Sequence, residues 1–199
     1  TVDVDGKSIT VVGSGGAGLV VIDGEGVRRG VVVARGETAA TRFENLVFRN
    51  GVNLPDVDID GNDAITWWDF QGAGGHVHES SPTFLSCRFE SNVCGESGGG
   101  IYIYGSSSSP EFIDCVFEGN VSAYSGGGVS SYLGSPTFID CDLEENRSDS
   151  GNLGGGGLAV TGNTSFVSVF GGRFAGNETT VGPGGAVFVG PGSILFISG

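Results

Sequence analysis

Hydrophobic and polar residues alternate along this chain in short stretches, and these stretches recur at a nearly constant interval. Residues 81–92 read SPTFLSCRFESN, residues 109–120 read SPEFIDCVFEGN and residues 135–146 read SPTFIDCDLEEN, so the cysteine recurs after 28 and then after 26 residues. A degenerate fourth copy, SFVSVFGGRFAGN, occupies residues 165–177. Alternation with a period of two is typical of β-strands. The pattern therefore predicts short strands separated by turns rich in Gly, Ser, Asn and Pro.

A glycine block that opens a second apolar stretch follows each copy: GGGI at 98–101, GGGV at 126–129, GGGL at 155–158 and GGAV at 184–187. The sequence thus predicts two strands in each unit of about 28 residues, which is too short for a propeller blade of roughly 40 residues. Short strands at this interval, without a helical pattern, favour a coil that stacks on its neighbours as parallel strands. We expect an all-β fold, a β-solenoid of about seven coils.

The repeats predict one domain over residues 1–199. Residues 74–199 carry the regular repeats, and residues 1–73 fit three less regular coils. The segment 52–75, which contains Trp67 and Trp68, is predicted to be a loop excursion from the coil. Loops on a rigid scaffold often carry function.

Equivalent residues of successive coils are expected to form columns inside the solenoid. One predicted inward column contains Leu85, Ile113 and Ile139, a second contains Phe89, Phe117 and Leu143, and a third contains Cys87, Cys115 and Cys141. Neighbouring coils would bring the cysteine Cα atoms within disulfide range, but three cysteines in one ladder cannot all pair. The cysteines are interpreted as small core hydrophobes, with a structural disulfide as the alternative.

Composition and charge narrow the function classes. Glycine supplies 39 of the 199 residues, which argues against helices. Lys and Arg total 9 against 23 Asp and Glu, giving a net charge of −14. This charge opposes binding to nucleic acids and to anionic membrane surfaces. No apolar run approaches the roughly 18 residues of a membrane span, so we expect no membrane insertion.

The two short motifs of each unit resemble the polymorphic outer-membrane protein repeats first associated with chlamydiae, whose units carry FxxN and GGA[ILV] tetrapeptides. Here the first motif appears as FESN at 89, FEGN at 117, LEEN at 143 and FAGN at 174, and GGAV at 184 matches the second. The resemblance covers about residues 74–190. It implies a right-handed parallel β-helix of the pectin-lyase-like type, in a protein that is surface-exposed and adhesive or structural.

The acidic residues suggest little catalytic chemistry. Glycoside hydrolysis needs two carboxylates at one cleft, whereas the acidic residues here recur at turn-flanking repeat positions. We therefore expect no enzyme activity, and no cofactor except calcium as an alternative. Asp56, Asp58 and Asp60 place oxygen donors at alternate positions before Gly61, as in the first half of a calcium loop. A strand with outward aspartates explains the same pattern.

The only two histidines, His76 and His78, lie two apart on a predicted strand and point the same way. Such a pair can chelate a transition metal, but the sequence shows no third ligand. Two exposed histidines without a function are the favoured interpretation.

Four sites match the N-glycosylation pattern: Asn120, Asn146, Asn163 and Asn177. Three of these are also the asparagine of the FxxN motif, which in such β-helices stacks in a turn ladder and cannot then carry a glycan. Asn163 is therefore the expected glycosylation site if the source is eukaryotic.

Aromatic residues supply candidate contacts with a sugar or a protein partner. They are Trp67, Trp68 and the predicted outward-facing Tyr102, Tyr104 and Tyr132. Ordinary surface aromatics are an equally good interpretation.

The sequence favours a non-catalytic extracellular or cell-surface protein, a building block of a surface or filamentous assembly. A strand pattern begins at the first residue and another ends near the last, so we expect the end coils to be covered by more chain or by end-to-end stacking of copies. The alternative is a carbohydrate-active or carbohydrate-binding protein of the pectin-lyase-like type.

Overall fold

A computed structural model describes residues 1–15, 20–53, 70–149 and 153–199. Its strands form four parallel sheets, in which each strand pairs with the equivalent strand of the next coil. Sheet A contains β1 (Val2–Asp3), β4 (Val31–Val33), β7 (Gly75–His78), β11 (Ile101–Tyr104), β15 (Val129–Tyr132), β19 (Leu158–Thr161) and β23 (Val187–Val189). Sheet B contains β2 (Thr10–Val12), β5 (Arg42–Glu44), β8 (Thr83–Leu85), β12 (Glu111–Ile113), β16 (Thr137–Ile139), β20 (Phe166–Phe170) and β24 (Ile194–Ser198).

The other two sheets complete each turn. Sheet C contains β3 (Val20–Asp23), β6 (Leu46–Arg49), β9 (Arg88–Glu90), β13 (Val116–Glu118), β17 (Asp142–Glu144) and β21 (Arg173–Ala175). Sheet D contains β10 (Val93–Cys94), β14 (Val121–Ser122), β18 (Arg147–Ser148) and β22 (Glu178–Thr179). The described chain makes about six turns, followed by β23 and β24 of a further turn.

The all-β solenoid predicted from the repeats is confirmed, but its internal division differs from the expectation. Each regular repeat contains four strands rather than two. The segments before and after the repeat cysteine belong to sheets B and C, a two-residue strand of sheet D follows, and the segment after the glycine block belongs to sheet A. The described residues before β7 contain two turns, whereas three coils were expected over residues 1–73. Among the described residues, no helix is long and apolar enough to cross a membrane.

Phenylalanine columns fill the interior. Phe84 stacks on Phe112 with ring centroids 5.1 Å apart, and Phe112 stacks on Phe138 at 5.0 Å. On the facing sheet Phe89 stacks on Phe117 at 5.0 Å. Every ring in these columns is buried, so each coil covers the apolar surface of the next.

The predicted inward column of Leu85, Ile113 and Ile139 is wrong. These side chains lie half-buried on the outer face of sheet B, and the preceding phenylalanines point inward. A residue in the left-handed region separates sheet B from sheet C at every repeat, as at Asp114 with φ of 50°. This residue turns the chain at the corner. The inward and outward alternation of side chains in the sheet B strand therefore does not continue into the sheet C strand.

Asparagines form a buried ladder at the corner between sheets C and D. Asn92 Nδ2 donates to Asn120 Oδ1 at 2.9 Å, Asn120 Nδ2 donates to Asn146 Oδ1 at 2.9 Å, and Asn146 Nδ2 donates to Asn177 Oδ1 at 2.9 Å. Each Nδ2 also donates to a main-chain carbonyl one coil back, for example Asn120 to Phe89 at 2.8 Å. The ladder satisfies polar groups that the corner would otherwise bury unpaired.

The glycine blocks lie where the chain of one coil runs against the next. A Cβ added at Gly100 would overlap the carbonyl oxygen of Gly128. The main chain of Gly100 donates to Gly127 of the next coil at 3.0 Å. Close stacking at this corner therefore requires glycine.

Candidate ligand-binding face of sheet A

The outer face of sheet A carries two columns of side chains, set by the strand register. The first column runs Asp3, Val32, His76, Tyr102, Ser130, Ala159 and Phe188. The second contains His78 paired with Tyr104, and Tyr132 paired with Thr161.

The rings of these columns pack against one another. His76 lies 5.5 Å from Tyr102 and His78 lies 5.0 Å from Tyr104, measured between ring centroids. Tyr104 stacks on Tyr132 at 5.9 Å with an interplanar angle of 7°. Packed rings of this kind hold each other in fixed orientations.

Sheet C presents a different outer face, with charged side chains in ion pairs. Arg88 contacts Glu118 at 2.5 Å, Arg49 contacts Asp23 at 2.9 Å, and Arg173 contacts Glu144. The described part of the outer face of sheet A thus differs in chemistry from that of sheet C.

A cavity of about 180 Å³ lies where both columns of sheet A change from large to small side chains. Tyr102 is followed by Ser130 and Ala159, and Tyr132 is followed by Thr161. The residues that line the cavity are Gln71, Ser97, Tyr102, Ser125, Ser130, Tyr132, Leu153 and Thr161. All of them are uncharged.

A polar column at the entry to sheet A forms one wall of this cavity. Gln71, Ser97 and Ser125 each precede a glycine of the block that leads into sheet A, and the equivalent residue in the next coil is Gly154. Ser97 N–H donates to Gln71 Oε1 at 2.8 Å, and Ser125 Oγ donates to Ser97 Oγ at 3.1 Å. A Cβ added at Gly154 would overlap the carbonyl oxygen of Pro183, so this coil requires glycine at the equivalent position.

A second hydroxyl pair continues this network onto the sheet. Ser125 Oγ lies 3.3 Å from Ser130 Oγ, where either oxygen can be the donor. Hydroxyl groups both donate and accept, so each retains capacity for a further partner.

His76 is fully buried, so the expectation that both histidines are exposed is wrong for this one. Its Nδ1 lies 3.2 Å from the carbonyl oxygen of Gln71, which also accepts from Arg29 Nη2 at 2.9 Å. Burial, followed by the nearby Arg29 guanidinium, holds the pKa of His76 well below its usual value. The side chain is therefore neutral at physiological pH.

The structure shows no cluster of three metal-ligating side chains within residues 1–15, 20–53, 70–149 and 153–199. His76 and His78 lie on the same face of β7, with ring centroids 6.2 Å apart. The predicted calcium ligands Asp56, Asp58 and Asp60 lie outside the described residues, as do Trp67 and Trp68.

The three tyrosines lie on the outer side of sheet A, but they differ in exposure. Tyr102 is only 3% exposed, while Tyr104 and Tyr132 are half-buried. Burial, with a smaller effect from Tyr104, raises the pKa of Tyr102 well above its usual value. Tyr102 therefore forms part of the cavity floor rather than an open surface.

The cysteines are free thiols in the interior. Cys87, Cys115 and Cys141 form an inward column, in which each Sγ contacts a main-chain carbonyl of a neighbouring coil, as Cys115 does to Phe84 at 3.4 Å. Burial raises the pKa of Cys115 well above its usual value and the pKa of Cys94 to about 11.

The glycosylation candidates divide by exposure. Asn120 and Asn146 are fully buried in the ladder, and Asn177 belongs to the same ladder. The Nδ2 atoms of Asn120 and Asn146 donate to two acceptors each. Nδ2 of Asn177 donates to the carbonyl oxygen of Leu143, so all three nitrogens to which a glycan would be attached are engaged in the folded chain. Asn163 lies exposed in the turn between β19 and β20.

Sequence reasoning identified the tyrosines but missed Gln71, Ser97, Ser125, Ser130 and Thr161. A signal was present, because three of these residues recur at fixed offsets from the glycine blocks or from the tyrosines. Their grouping depends on how sheet A aligns with the corner that precedes it, and that alignment follows from the four-sheet division that the sequence did not reveal.

A family model described as the right-handed beta helix region matches residues 3–174. No curated protein and no solved structure showed a significant match to the chain.

Proposed function

We propose that this chain, which belongs to the right-handed β-helix family, is a non-catalytic extracellular protein that serves as an adhesive or structural building block. The family fold occurs in enzymes and in non-enzymes, so function has to be argued from the site. The observation that carries the proposal is the aromatic outer face of sheet A from β7 to β23, whose described outward side chains include no Asp, Glu, Lys or Arg. This face lies beside a cavity, whereas the outer face of sheet C carries charged, paired side chains.

The rigid interior supports the structural half of the proposal. Stacked phenylalanines and the asparagine ladder fix each coil on its neighbour, so side chains on the outer face are presented at constant spacing. The resemblance of the FxxN and GGA motifs to polymorphic outer-membrane protein repeats supports a surface location, and self-association with similar β-helices belongs to the same proposal.

Adhesion through sheet A can be tested with two lysine substitutions on one coil. Tyr132→Lys adds a charge to the outer face of sheet A, and Thr137→Lys adds one to the outer face of sheet B. Purified wild-type protein and both variants are applied to an array of neutral and acidic glycans and of extracellular matrix proteins.

We expect the wild type to bind at least one class on the array, Tyr132→Lys to bind at least tenfold more weakly, and Thr137→Lys to stay within twofold. Equal losses in both variants, or no binding at all, would overturn the adhesive proposal. Release of soluble products from the arrayed polysaccharides would overturn its non-catalytic part. Sedimentation of the same samples tests self-association.

The cavity favours one form of the alternative function, which is carbohydrate binding without cleavage. Its lining residues carry hydroxyl, amide and phenol groups and no carboxylate. Acid–base cleavage of a glycosidic bond needs a carboxyl pair at the site, and the cavity lining does not provide one.

A further inference from the structure

We propose that the cavity on sheet A binds a single neutral sugar residue and discriminates against the uronic acid with the same ring. This inference rests on the proposed function, because it names the ligand class of the face through which the chain is proposed to make its contacts.

The polar groups of the cavity match a polyol. Ser97, Ser125 and Ser130 form a connected row of hydroxyl groups with Oγ–Oγ distances of 3.1 and 3.3 Å. Such groups both donate and accept hydrogen bonds, as the hydroxyl groups of a sugar do. A ligand with only donors or only acceptors would use half of this capacity.

The aromatic wall matches the apolar face of a sugar ring. One face of Tyr132 is covered by Tyr104 at 5.9 Å. The next position of the column on the other side is Thr161, and Tyr132 and Thr161 both line the cavity. An aromatic face beside a row of hydroxyl groups suits a ligand with one apolar and one polar side.

The charge of the site decides between neutral and acidic sugars. None of the eight lining residues carries a charge, and the whole chain has a net charge of −14. A carboxylate bound here would lose hydration, and no lining residue would supply a cationic partner, which is unfavourable. Arg29 donates to the carbonyl of Gln71 at 2.9 Å but does not line the cavity. A cationic sugar would likewise find no carboxylate in the lining.

The volume sets the size of the ligand. The cavity has a volume of about 180 Å³. This space is smaller than the roughly 300 Å³ at which pockets for drug-sized ligands begin. It suits one pyranose ring, as at the end of a glycan chain.

Binding is tested by calorimetric titration with matched sugars. The probes are D-glucose, D-galactose and D-mannose, each beside the uronic acid that differs only by oxidation at carbon 6. We expect at least one neutral sugar to bind, and its uronic acid to bind at least tenfold more weakly. Absence of binding by all three neutral sugars, or equal binding of acid and neutral forms, would overturn the inference.

Two variants locate the site. Thr161→Tyr extends the existing column of tyrosine rings into the cavity, and it is expected to weaken sugar binding at least tenfold. Ile139→Phe is the control, because it places a ring beside Phe170 in the register of sheet B, away from the cavity. We expect it to change binding less than twofold, and circular dichroism checks that both variants remain folded.

The outcomes separate this inference from the proposed function. Array binding that is sensitive to Tyr132→Lys, together with no binding of any neutral sugar, would leave adhesion through sheet A standing and remove the sugar site. Sugar binding that is equally strong in Thr161→Tyr would place the sugar elsewhere on the chain and overturn the assignment to this cavity.

Discussion

Asn120 shows what a single buried side chain contributes to this fold. Its Oδ1 accepts hydrogen bonds from the main-chain N–H of Asn92 at 3.1 Å and from the Asn92 side chain at 2.9 Å. Its Nδ2 donates to Phe89 and to Asn146. The same amide thus joins three successive coils, and both its donor and its acceptor are needed.

Replacing Asn120 by aspartate is expected to destabilise the chain strongly. A carboxylate at this position would place oxygen against the carbonyl oxygen of Phe89 and against Asn146 Oδ1, without solvent or a cation. We expect the free energy of unfolding at pH 7 to decrease by about 3 kcal/mol or more. Urea denaturation measures this change. The control Asn163→Asp, in an exposed turn, should change it by less than about 0.5 kcal/mol. Equal effects of the two would contradict the ladder.

His76 makes stability depend on pH in a defined direction. Its pKa is lower in the folded chain than in the unfolded chain, so below about pH 6.5 the unfolded chain binds a proton that the folded chain does not. Folding stability should fall as pH decreases from about 6.5 toward the folded pKa, by at most about 1.4 kcal/mol per pH unit from this residue. The contribution is absent above pH 7.5.

The pH dependence is measured as the difference between wild type and His76→Phe. Denaturation curves at pH 5.0 to 8.0 give the free energy of unfolding for both proteins. The free energy of unfolding of the variant minus that of the wild type should increase as the pH falls below 6.5 and stay constant above pH 7.5. A gap that is constant throughout would show that the folded chain protonates His76 as readily as the unfolded chain.

At the scale of the elements, strand existence was predictable and strand grouping was not. The segments after the glycine blocks are strands, as the repeats predicted, and the strand pattern near the last residue corresponds to β24 (Ile194–Ser198). The corner residue with positive φ, such as Asp114, is not glycine and leaves no clear signal in the sequence. Alternation therefore placed Ile113 inside, whereas Phe112 occupies the core.

Glycine substitutions test the close approach of successive coils. Gly100→Ala would force a Cβ against the carbonyl of Gly128, and it should cost about 1–3 kcal/mol or more. Gly95→Ala is the matched control, since its Cβ would meet only the Asn53 side chain, at 3.7 Å or more. We expect the control to change the free energy of unfolding by less than about 1 kcal/mol. Thermal or urea unfolding distinguishes the two, and equal tolerance would mean that the corner is looser than described.

At the scale of the whole molecule, the fold class could be predicted from the repeat, and the family match supports it. The candidate site could not be predicted in the same way, because it depends on how the strands of sheet A align with the corner that precedes them. Tyr102 and Tyr132 could be chosen from their spacing on the strands. Ser125 and Gln71 join them only because the entry corner runs beside the same face. The disulfide question, which spacing left open, is answered in the structure by four buried free thiols.

The thiols report on the integrity of the whole solenoid. All four are buried, so a thiol reagent at pH 8 should modify none of them in the native protein, although the hydrogen bond with Cys115 lowers the pKa of Cys87 and of Cys141. In concentrated denaturant without reductant, four thiols per chain should react. Two thiols per chain would instead show a disulfide and contradict the free column.

The central claim is that the face of sheet A beside the cavity is the ligand-binding face, and fluorine NMR tests it directly. The chain has four tyrosines, so labelling with 3-fluorotyrosine gives four signals, which single Tyr→Phe variants assign. Tyr102 and Tyr132 line the cavity, whereas Tyr124 is exposed and does not line it. During titration with the neutral sugar that binds by calorimetry, the account predicts shifts of the Tyr102 and Tyr132 signals and none for Tyr124. Binding that leaves Tyr102 and Tyr132 unchanged would contradict it.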